Sequence, residues 1–193
     1  MSTMTVQSGL PWGRALTADD LETMPDDGHR YELIDGTLVV TPAPGWPHQS
    51  VQMRLAALLY LECPPGLRVI GAPFEVRLAM TTAVQPDIVV ARFADITPKN
   101  LPVAPLLAVE VRSPSTALVD HNLKRATYER FGIPSYWLVD PDETAPKVTV
   151  LELENGRYVE RATVESDETI DVESPFAIRL CPSDLTRDLR PQS

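Results

Sequence analysis

The chain has 193 residues, of which 44% are hydrophobic, and this length and composition predict a single globular domain over residues 1–193. Residues 1–13 lack the cationic start and apolar stretch of a secretory signal, and no apolar run approaches membrane-spanning length, so we expect a cytoplasmic protein with no membrane partner. Cys63 and Cys181 have no CxxC partner, and two cysteines in 193 residues are not the composition of a disulfide scaffold.

The net charge of −10 argues against a protein that grips nucleic acid through a broad basic face, because such binding depends on Lys and Arg replacing counterions. The charge is unevenly distributed. Residues 141–175 contain ten acidic and three basic side chains, a net of −7, and the rest of the chain carries only −3. The charge therefore lowers the expectation of tight non-specific binding without excluding a local phosphate site.

The first elements are a short helix and a hairpin. Thr17 followed by Asp20 has the form of an N-terminal capping box, which predicts a short entry helix ending near Pro25. Apolar segments at residues 31–34 and 37–40 flank Asp35-Gly36, a dipeptide that favours a two-residue hairpin turn. A helix over residues 47–62 follows, with His48 on its apolar face, where a core histidine with a satisfied hydrogen bond is the expected role.

The middle of the chain predicts a sheet covered on both faces. Apolar runs at residues 87–91 and 106–111 are typical of central strands. A helix over residues 119–131 ends at Gly132, and the strand at 135–139 completes a right-handed crossover between parallel strands. Asn155-Gly156 predicts a second hairpin in the tail. The fold class is therefore α/β, a central mixed β-sheet flanked by helices with an antiparallel β extension at the C-terminus.

Two carboxylates lie on apolar strands and demand an explanation. Glu110 stands between Val109 and Val111, where an ionised carboxylate costs several kcal/mol unless a cation, hydrogen bonds or a raised pKa offsets its charge. Asp87 opens another apolar strand, just after Pro86. If the two strands are neighbours, both side chains can reach one spot, and paired carboxylates suit a hard divalent ion.

The following helix offers a third candidate. Asp120, Lys124 and Tyr128 are four residues apart and share one flank of the helix. Asp120 and Lys124 could form an ordinary surface ion pair. Lys124 could equally face the carboxylates, and from the residues alone both interpretations stay open.

Taken in order, these segments resemble the Uma-two family of endonucleases, in the PD-(D/E)XK, restriction-endonuclease-like superfamily. The similarity covers roughly residues 31–141 and rests on matching motifs and spacings: Tyr31-Glu32-Leu33-Ile34-Asp35-Gly36, His48, Pro86-Asp87-Ile88-Val89-Val90, Val109-Glu110-Val111-Arg112-Ser113-Pro114-Ser115-Thr116, Asp120, Lys124, Tyr128, and Tyr136-Trp137-Leu138-Val139-Asp140-Pro141.

The resemblance implies a restriction-endonuclease-like fold and a site with four catalytic residues. Asp87 and Glu110 would bind Mg²⁺, with Mn²⁺ as a substitute, Glu32 would be an additional acid, and Lys124 would be the motif lysine relocated to the helix. Lys124 would then position or deprotonate the water that attacks a DNA phosphodiester, or stabilise the developing charge. We expect DNA as the substrate and a homo-oligomer, with a dimer favoured.

One position departs from the superfamily motif. The motif lysine normally follows the second acid by two residues, where this chain has Arg112, which shares the Glu110 face of the strand by alternation. Arginine stays protonated, so Arg112 could contact phosphate or neutralise Glu110 without any metal ion. The alternative hypothesis is therefore a catalytically inactive nuclease-like domain that acts as an oligomeric interaction module. A hydrolase that uses paired carboxylates directly, as glycosidases do, is a weaker one.

Overall fold

The computed structural model describes residues 13–113 and 117–189. For residues 117–121 it describes the backbone only. Its first hairpin pairs β1 (His29–Ile34) with β2 (Thr37–Pro42), and Ile34 lies opposite Thr37 across the predicted Asp35-Gly36 turn. Asp35 and Gly36 both have positive φ, the backbone conformation that this tight turn requires. The hairpin prediction is confirmed.

This hairpin belongs to a five-stranded sheet whose other strands are the short β4 (Glu75–Ala79), β5 (Thr82–Val84) and β7 (Asn100–Leu101). The strand order is β2-β1-β5-β4-β7. The sheet stands beside the central one and carries Arg30 and Glu32 on β1.

The central sheet has six strands: β3 (Leu67–Gly71), β6 (Ile88–Arg92), β8 (Leu107–Val111), β9 (Ser135–Asp140), β10 (Lys147–Glu154) and β11 (Arg157–Glu165). Their order in the sheet is β11-β10-β9-β8-β6-β3. β6 and β8 are adjacent and antiparallel, while β8 and β9 are parallel neighbours connected through α3 (Ala117–Arg130), as the strand-helix-strand succession predicts. β10 and β11 form the predicted C-terminal antiparallel extension around Asn155-Gly156.

The remaining elements cover these sheets. β12 (Ile170–Val172) and β13 (Ile178–Leu180) pair with each other, and the helices are α1 (Ala18–Leu21), α2 (Trp46–Glu62), α3 (Ala117–Arg130) and α4 (Pro182–Thr186). Short 3₁₀ turns occupy Phe93–Asp95 and Arg187–Leu189. None of the helices in the described part of the chain is long and apolar enough to cross a membrane.

Alternation along the central strands divides the core into two layers. Ile88 and Val90 of β6 pack with Val51 and Leu55 of α2 on one face of the central sheet. On the opposite face, Val89 packs with residues of α3, β9 and the five-stranded sheet, including Tyr128, Tyr136, Ile34 and Val76. Because side chains of a strand alternate between faces, Glu110 of β8 points away from α2 toward α3. This layering brings α3, β1, β6 and β8 together at one place.

Candidate active site

A cavity of about 170 Å³ lies where these four elements meet. Its lining includes all four residues that the sequence singled out: Glu32 of β1, Asp87 just before β6, Glu110 of β8 and Lys124 of α3. The other lining residues are Arg30, His48, Val111 and Ser113, with residues 41–45 at the end of β2 and in the loop that leads to α2. Residues far apart in the chain thus share one small polar space.

Lys124 lies between two carboxylates. Its Nζ is 3.0 Å from Glu32 Oε2 and donates hydrogen bonds to both oxygens of Glu110, at 3.1 and 3.2 Å. Tyr128, one helical turn later, donates its hydroxyl to Glu110 Oε1 at 2.6 Å. Lys124 is 2% exposed and Glu32 is 1% exposed, so these charges interact with little screening by water. Lys124 is therefore not a surface residue, as the ion-pair interpretation assumed, and it faces the carboxylates instead.

Glu110 has more negative charge around it than its partners neutralise. Burial acts most strongly and raises the pKa of its carboxyl; the negative charges of Asp87 and Glu32 add to that effect. Lys124 and the Tyr128 hydroxyl act in the opposite direction, and the resulting pKa is about 8. Glu110 is thus largely protonated at neutral pH, and a further cation in the cavity would favour its ionised form.

Asp87 is held from three sides. Its Oδ1 accepts a hydrogen bond from Arg30 Nη1 at 3.0 Å, and its Oδ2 accepts one from the backbone amide of Val111 at 2.8 Å. His48 Nε2 lies 3.1 Å from the same Oδ2.

These contacts decide the charge state of Asp87. Burial acts most strongly and favours the neutral carboxyl, but the hydrogen bond and charge of His48, followed by Arg30 and the Val111 amide, hold the pKa of Asp87 below its ordinary value. The carboxylate is therefore ionised at neutral pH.

Arg30 and His48 were not predicted as parts of the site. Arg30 is two residues before Glu32 on β1, so strand alternation places both on one face, a signal that the sequence contains. His48 is buried and hydrogen-bonded, as expected of a core histidine, but its partner is Asp87. Among the described residues, His48 Nδ1 has no hydrogen-bond partner.

Arg112 does not play the role considered for it. Its Nη1 donates to Asp140 Oδ2 at 2.9 Å, and it does not line the cavity. Neutralisation of Glu110 by Arg112 is therefore wrong; Lys124 occupies that place. The side chain of Asp120 and residues 114–116 of the matching motif lie outside the described residues.

The donor set of the cavity is compatible with a small divalent ion. Mg²⁺ usually takes one or two protein carboxylates and completes its coordination with water and substrate phosphate. Asp87 and Glu110 could supply such oxygens from two walls of the cavity, and the raised pKa of Glu110 marks the surplus negative charge that an ion would relieve. Within the described ranges, no group of three or more His, Cys, Asp or Glu side chains is arranged to hold a metal ion. A two-carboxylate arrangement does not require one.

Comparisons with known proteins agree with the fold and the motifs. A crystal structure of "a putative nuclease belonging to DUF820" from Anabaena variabilis ATCC 29413 is similar, with a TM-score of 0.72 and 22% sequence identity over 91% of this chain and 99% of that chain. A search of the curated proteins returned no match. The model of the Uma2 family, described as "putative restriction endonuclease", matches residues 18–185. The resemblance seen in the sequence is thus confirmed, and the chain belongs to the Uma2 (Uma-two) family.

Proposed function

We propose that this protein is a magnesium-dependent endonuclease that hydrolyses DNA phosphodiester bonds. The observation that carries the proposal is the convergence of Glu32, Asp87, Glu110 and Lys124 on one cavity, from four separate elements. Membership in a family described as restriction endonucleases supports the same reaction class.

Asp87 and Glu110 would hold the ion. Mg²⁺ supplies charge neutralisation for a phosphate and a lower pKa for the attacking water. His48, Arg30 and the Val111 amide fix the Asp87 carboxylate in its ionised form. Its orientation is thus set before the substrate arrives, which reduces the reorganisation needed during the reaction.

Lys124 would act on the water and the phosphate. Glu32 and Glu110 hold its ammonium group at 3.0 to 3.2 Å, so the donor is fixed on the wall of the cavity. From there it would orient the attacking water or stabilise charge that develops on the phosphate. Glu32 positions Lys124 and also accepts a hydrogen bond from the Gln85 amide at 2.7 Å, which anchors its carboxylate.

The test is cleavage of supercoiled plasmid and of linear DNA by the full chain with Mg²⁺, with Mn²⁺ and with EDTA. Asp87→Asn and Glu110→Gln should each reduce the rate by more than about a hundredfold, because each removes a charged group that stabilises the transition state. Asp140→Asn is the matched control, since Asp140 pairs with Arg112 outside the cavity. Cleavage that survives in EDTA, or in either site variant, would contradict the proposal.

One observation favours a second candidate, a catalytically inactive interaction module. Both oxygens of Asp87 already have partners in Arg30, His48 and the Val111 amide, so its charge is balanced without an ion. Calorimetry that detects no Mg²⁺ or Mn²⁺ binding, together with a stable oligomer, would favour this function over hydrolysis.

We also propose that the protein acts in the cytoplasm as a homodimer. Cys63 and Cys181 are free thiols, which is usual in a reducing compartment. Trp46, Tyr60 and Leu61 are exposed along α2, and aromatic side chains are enriched at subunit interfaces. Light scattering at several protein concentrations tests the dimer, and a monomer at all of them would exclude it.

A further inference from the structure

A second, larger cavity adjoins the acidic one. Its volume is about 820 Å³, and its lining shares Arg30, Ala43 and Pro44 with the acidic cavity. Pockets of about 300 to 1,000 Å³ are typical of sites that take small organic ligands. The larger cavity therefore offers space for a substrate portion next to Asp87 and Glu110.

Arg30 stands at the junction between the two cavities. Its Nη1 donates to Asp87 Oδ1 at 3.0 Å and to the Gln85 carbonyl at 3.2 Å. Its Nε and Nη2 have no hydrogen-bond partner among residues 13–113 and 117–189. A guanidinium group with such donors left over is suited to a phosphate oxygen.

The walls of the larger cavity carry groups that recognise nucleobases. Gln49, Gln52 and Gln85 each donate Nε2 to a backbone carbonyl, at 3.2, 2.7 and 3.4 Å. No described residue donates to their Oε1 atoms, which leaves three amide oxygens able to accept from base amino groups.

Two aromatic rings and a methionine line the same cavity. The His29 and Tyr31 rings lie 6.4 Å apart, and Asp27 fixes both, by contacts of 2.9 Å to His29 Nδ1 and 2.8 Å to the Tyr31 hydroxyl. Met53 of α2 lines the same cavity and is 73% exposed. Bases of single strands stack on such side chains with little dependence on sequence.

The small number of basic side chains in the two cavities disfavours binding of an intact duplex. Duplex DNA carries one negative charge per about 1.7 Å, and its binding depends on many Lys and Arg contacts. Among the residues that line the two cavities, the Lys and Arg side chains are Arg30 and Lys124, and Lys124 is already engaged by Glu32 and Glu110. The bases of a single strand can instead stack on aromatic side chains, which supplies part of the binding free energy without a cation.

We propose that the larger cavity binds bases of single-stranded DNA, while Arg30 holds the phosphate that enters the acidic cavity. The assignment rests on the proposed nuclease function and specifies its substrate class. It follows that DNA with unpaired bases, such as a single strand or a frayed end, is cleaved in preference to intact duplex.

The test compares three substrates with the full chain and saturating Mg²⁺ or Mn²⁺: a fluorescent single-stranded oligodeoxynucleotide, its blunt duplex, and bis(p-nitrophenyl) phosphate, which has a phosphodiester but no base. Met53→Glu places a negative charge in the cavity, of the same sign as the DNA backbone, and His29→Ala removes one of the two stacking rings. Met80→Glu is the matched control, because Met80 is 74% exposed and lies outside both cavities.

We expect the single strand to be cleaved about tenfold faster than the duplex at equal concentration. Met53→Glu and His29→Ala should each raise KM for the single strand about tenfold. Met80→Glu should behave as wild type on all three substrates, because Met80 lies outside both cavities. Equal cleavage of single strand and duplex, or equal effects of Met53→Glu and Met80→Glu, would overturn the assignment.

Failure of the proposed function gives a different result, since wild-type protein would then hydrolyse none of the three substrates. Fluorescence anisotropy with the same oligonucleotide then decides the binding assignment by itself. Binding of the single strand that Met53→Glu weakens and Met80→Glu does not would support it. Absence of binding, or equal affinity for the duplex, would overturn it.

Discussion

Lys124 is the buried cation on which the cavity depends. It is 2% exposed and its Nζ lies between the carboxylates of Glu32 and Glu110. Lys124→Met keeps the length of the side chain but leaves the buried Glu32 without its cation and Glu110 without a hydrogen-bond donor, which should lower the free energy of unfolding by about 3 kcal/mol. Lys99→Met, at a site where the side chain is 81% exposed, should change it by less than about 0.5 kcal/mol. Urea denaturation at neutral pH measures both, and equal effects would contradict the role of Lys124.

The raised pKa of Glu110 makes stability depend on pH. In the folded protein this carboxyl keeps its proton up to a pKa of about 8, against an ordinary value of 4.5. The contribution to folding is therefore fully present below the ordinary value and is lost as the pH rises toward 8. The free energy of unfolding of the wild type, relative to Glu110→Gln, should fall by about 1 kcal/mol per pH unit in this window. Denaturation of both proteins in EDTA, at several pH values between 4.5 and about 8, measures this difference. Parallel dependences of their unfolding free energies on pH would show that Glu110 titrates normally.

Sequence reasoning found the residues of the site that stand out locally. Glu110 is an acid inside an apolar strand, and the family resemblance singled out Lys124, which shares one flank of its helix with Tyr128. Arg30 was missed, because its contact with Asp87 joins positions 57 residues apart and an arginine near the start of a strand looks ordinary. Arg112 was assigned a possible partner by alternation alone, but Asp140 on the neighbouring β9 lies closer to its guanidinium.

Two hairpin turns share one backbone conformation and differ in their surroundings. Gly36 and Gly156 have φ values of 77° and 78°, each after a residue with φ of 50°. A Cβ on Gly36 would lie 2.7 Å from the Cβ of Ala15, whereas a Cβ on Gly156 would meet nothing within 4 Å. Gly156→Ala should cost about 1 kcal/mol for the positive φ alone, and Gly36→Ala should cost at least about 1 kcal/mol more because Ala15 must move. Thermal and urea denaturation of the two variants compare these costs, and equal losses would show that the contact with Ala15 relaxes freely.

The elements recognised from the sequence are those with strong local signals. The turns at Asp35-Gly36 and Asn155-Gly156 follow from residues that tolerate positive φ, and the buried strands β6 and β8 follow from continuous apolar runs. β5 and β7, with three and two residues, have no periodicity to detect. The separation of a five-stranded sheet from the central one was also not predicted, because it depends on pairings between distant segments, such as Leu33 with Ala83.

At the scale of the whole molecule, most of the negative charge and the two cavities lie in different parts of the chain. Residues 141–175 carry −7 of the net −10, and none of them lines the acidic or the larger cavity. They form β10, β11 and β12, the antiparallel part of the fold. The acidic residues of this segment therefore repel a polyanion at long range, whereas the residues of the cavities contact it directly.

This separation predicts an unusual dependence on salt. With saturating Mg²⁺, kcat/KM for a single-stranded oligodeoxynucleotide should rise as the ionic strength increases toward about 0.15 M, because salt screens the repulsion between the strand and a protein of charge −10. Nucleases with a basic face show the opposite trend, since salt weakens their phosphate contacts. The double variant Asp167→Lys, Glu173→Lys replaces two exposed negative charges with two positive ones and should flatten the rise, while Asp167→Glu, Glu173→Asp should leave it unchanged. Initial rates at a series of salt concentrations measure the slope, and a steep fall in the wild type would show that a basic contact surface, not the distant acidic strands, controls the encounter with DNA.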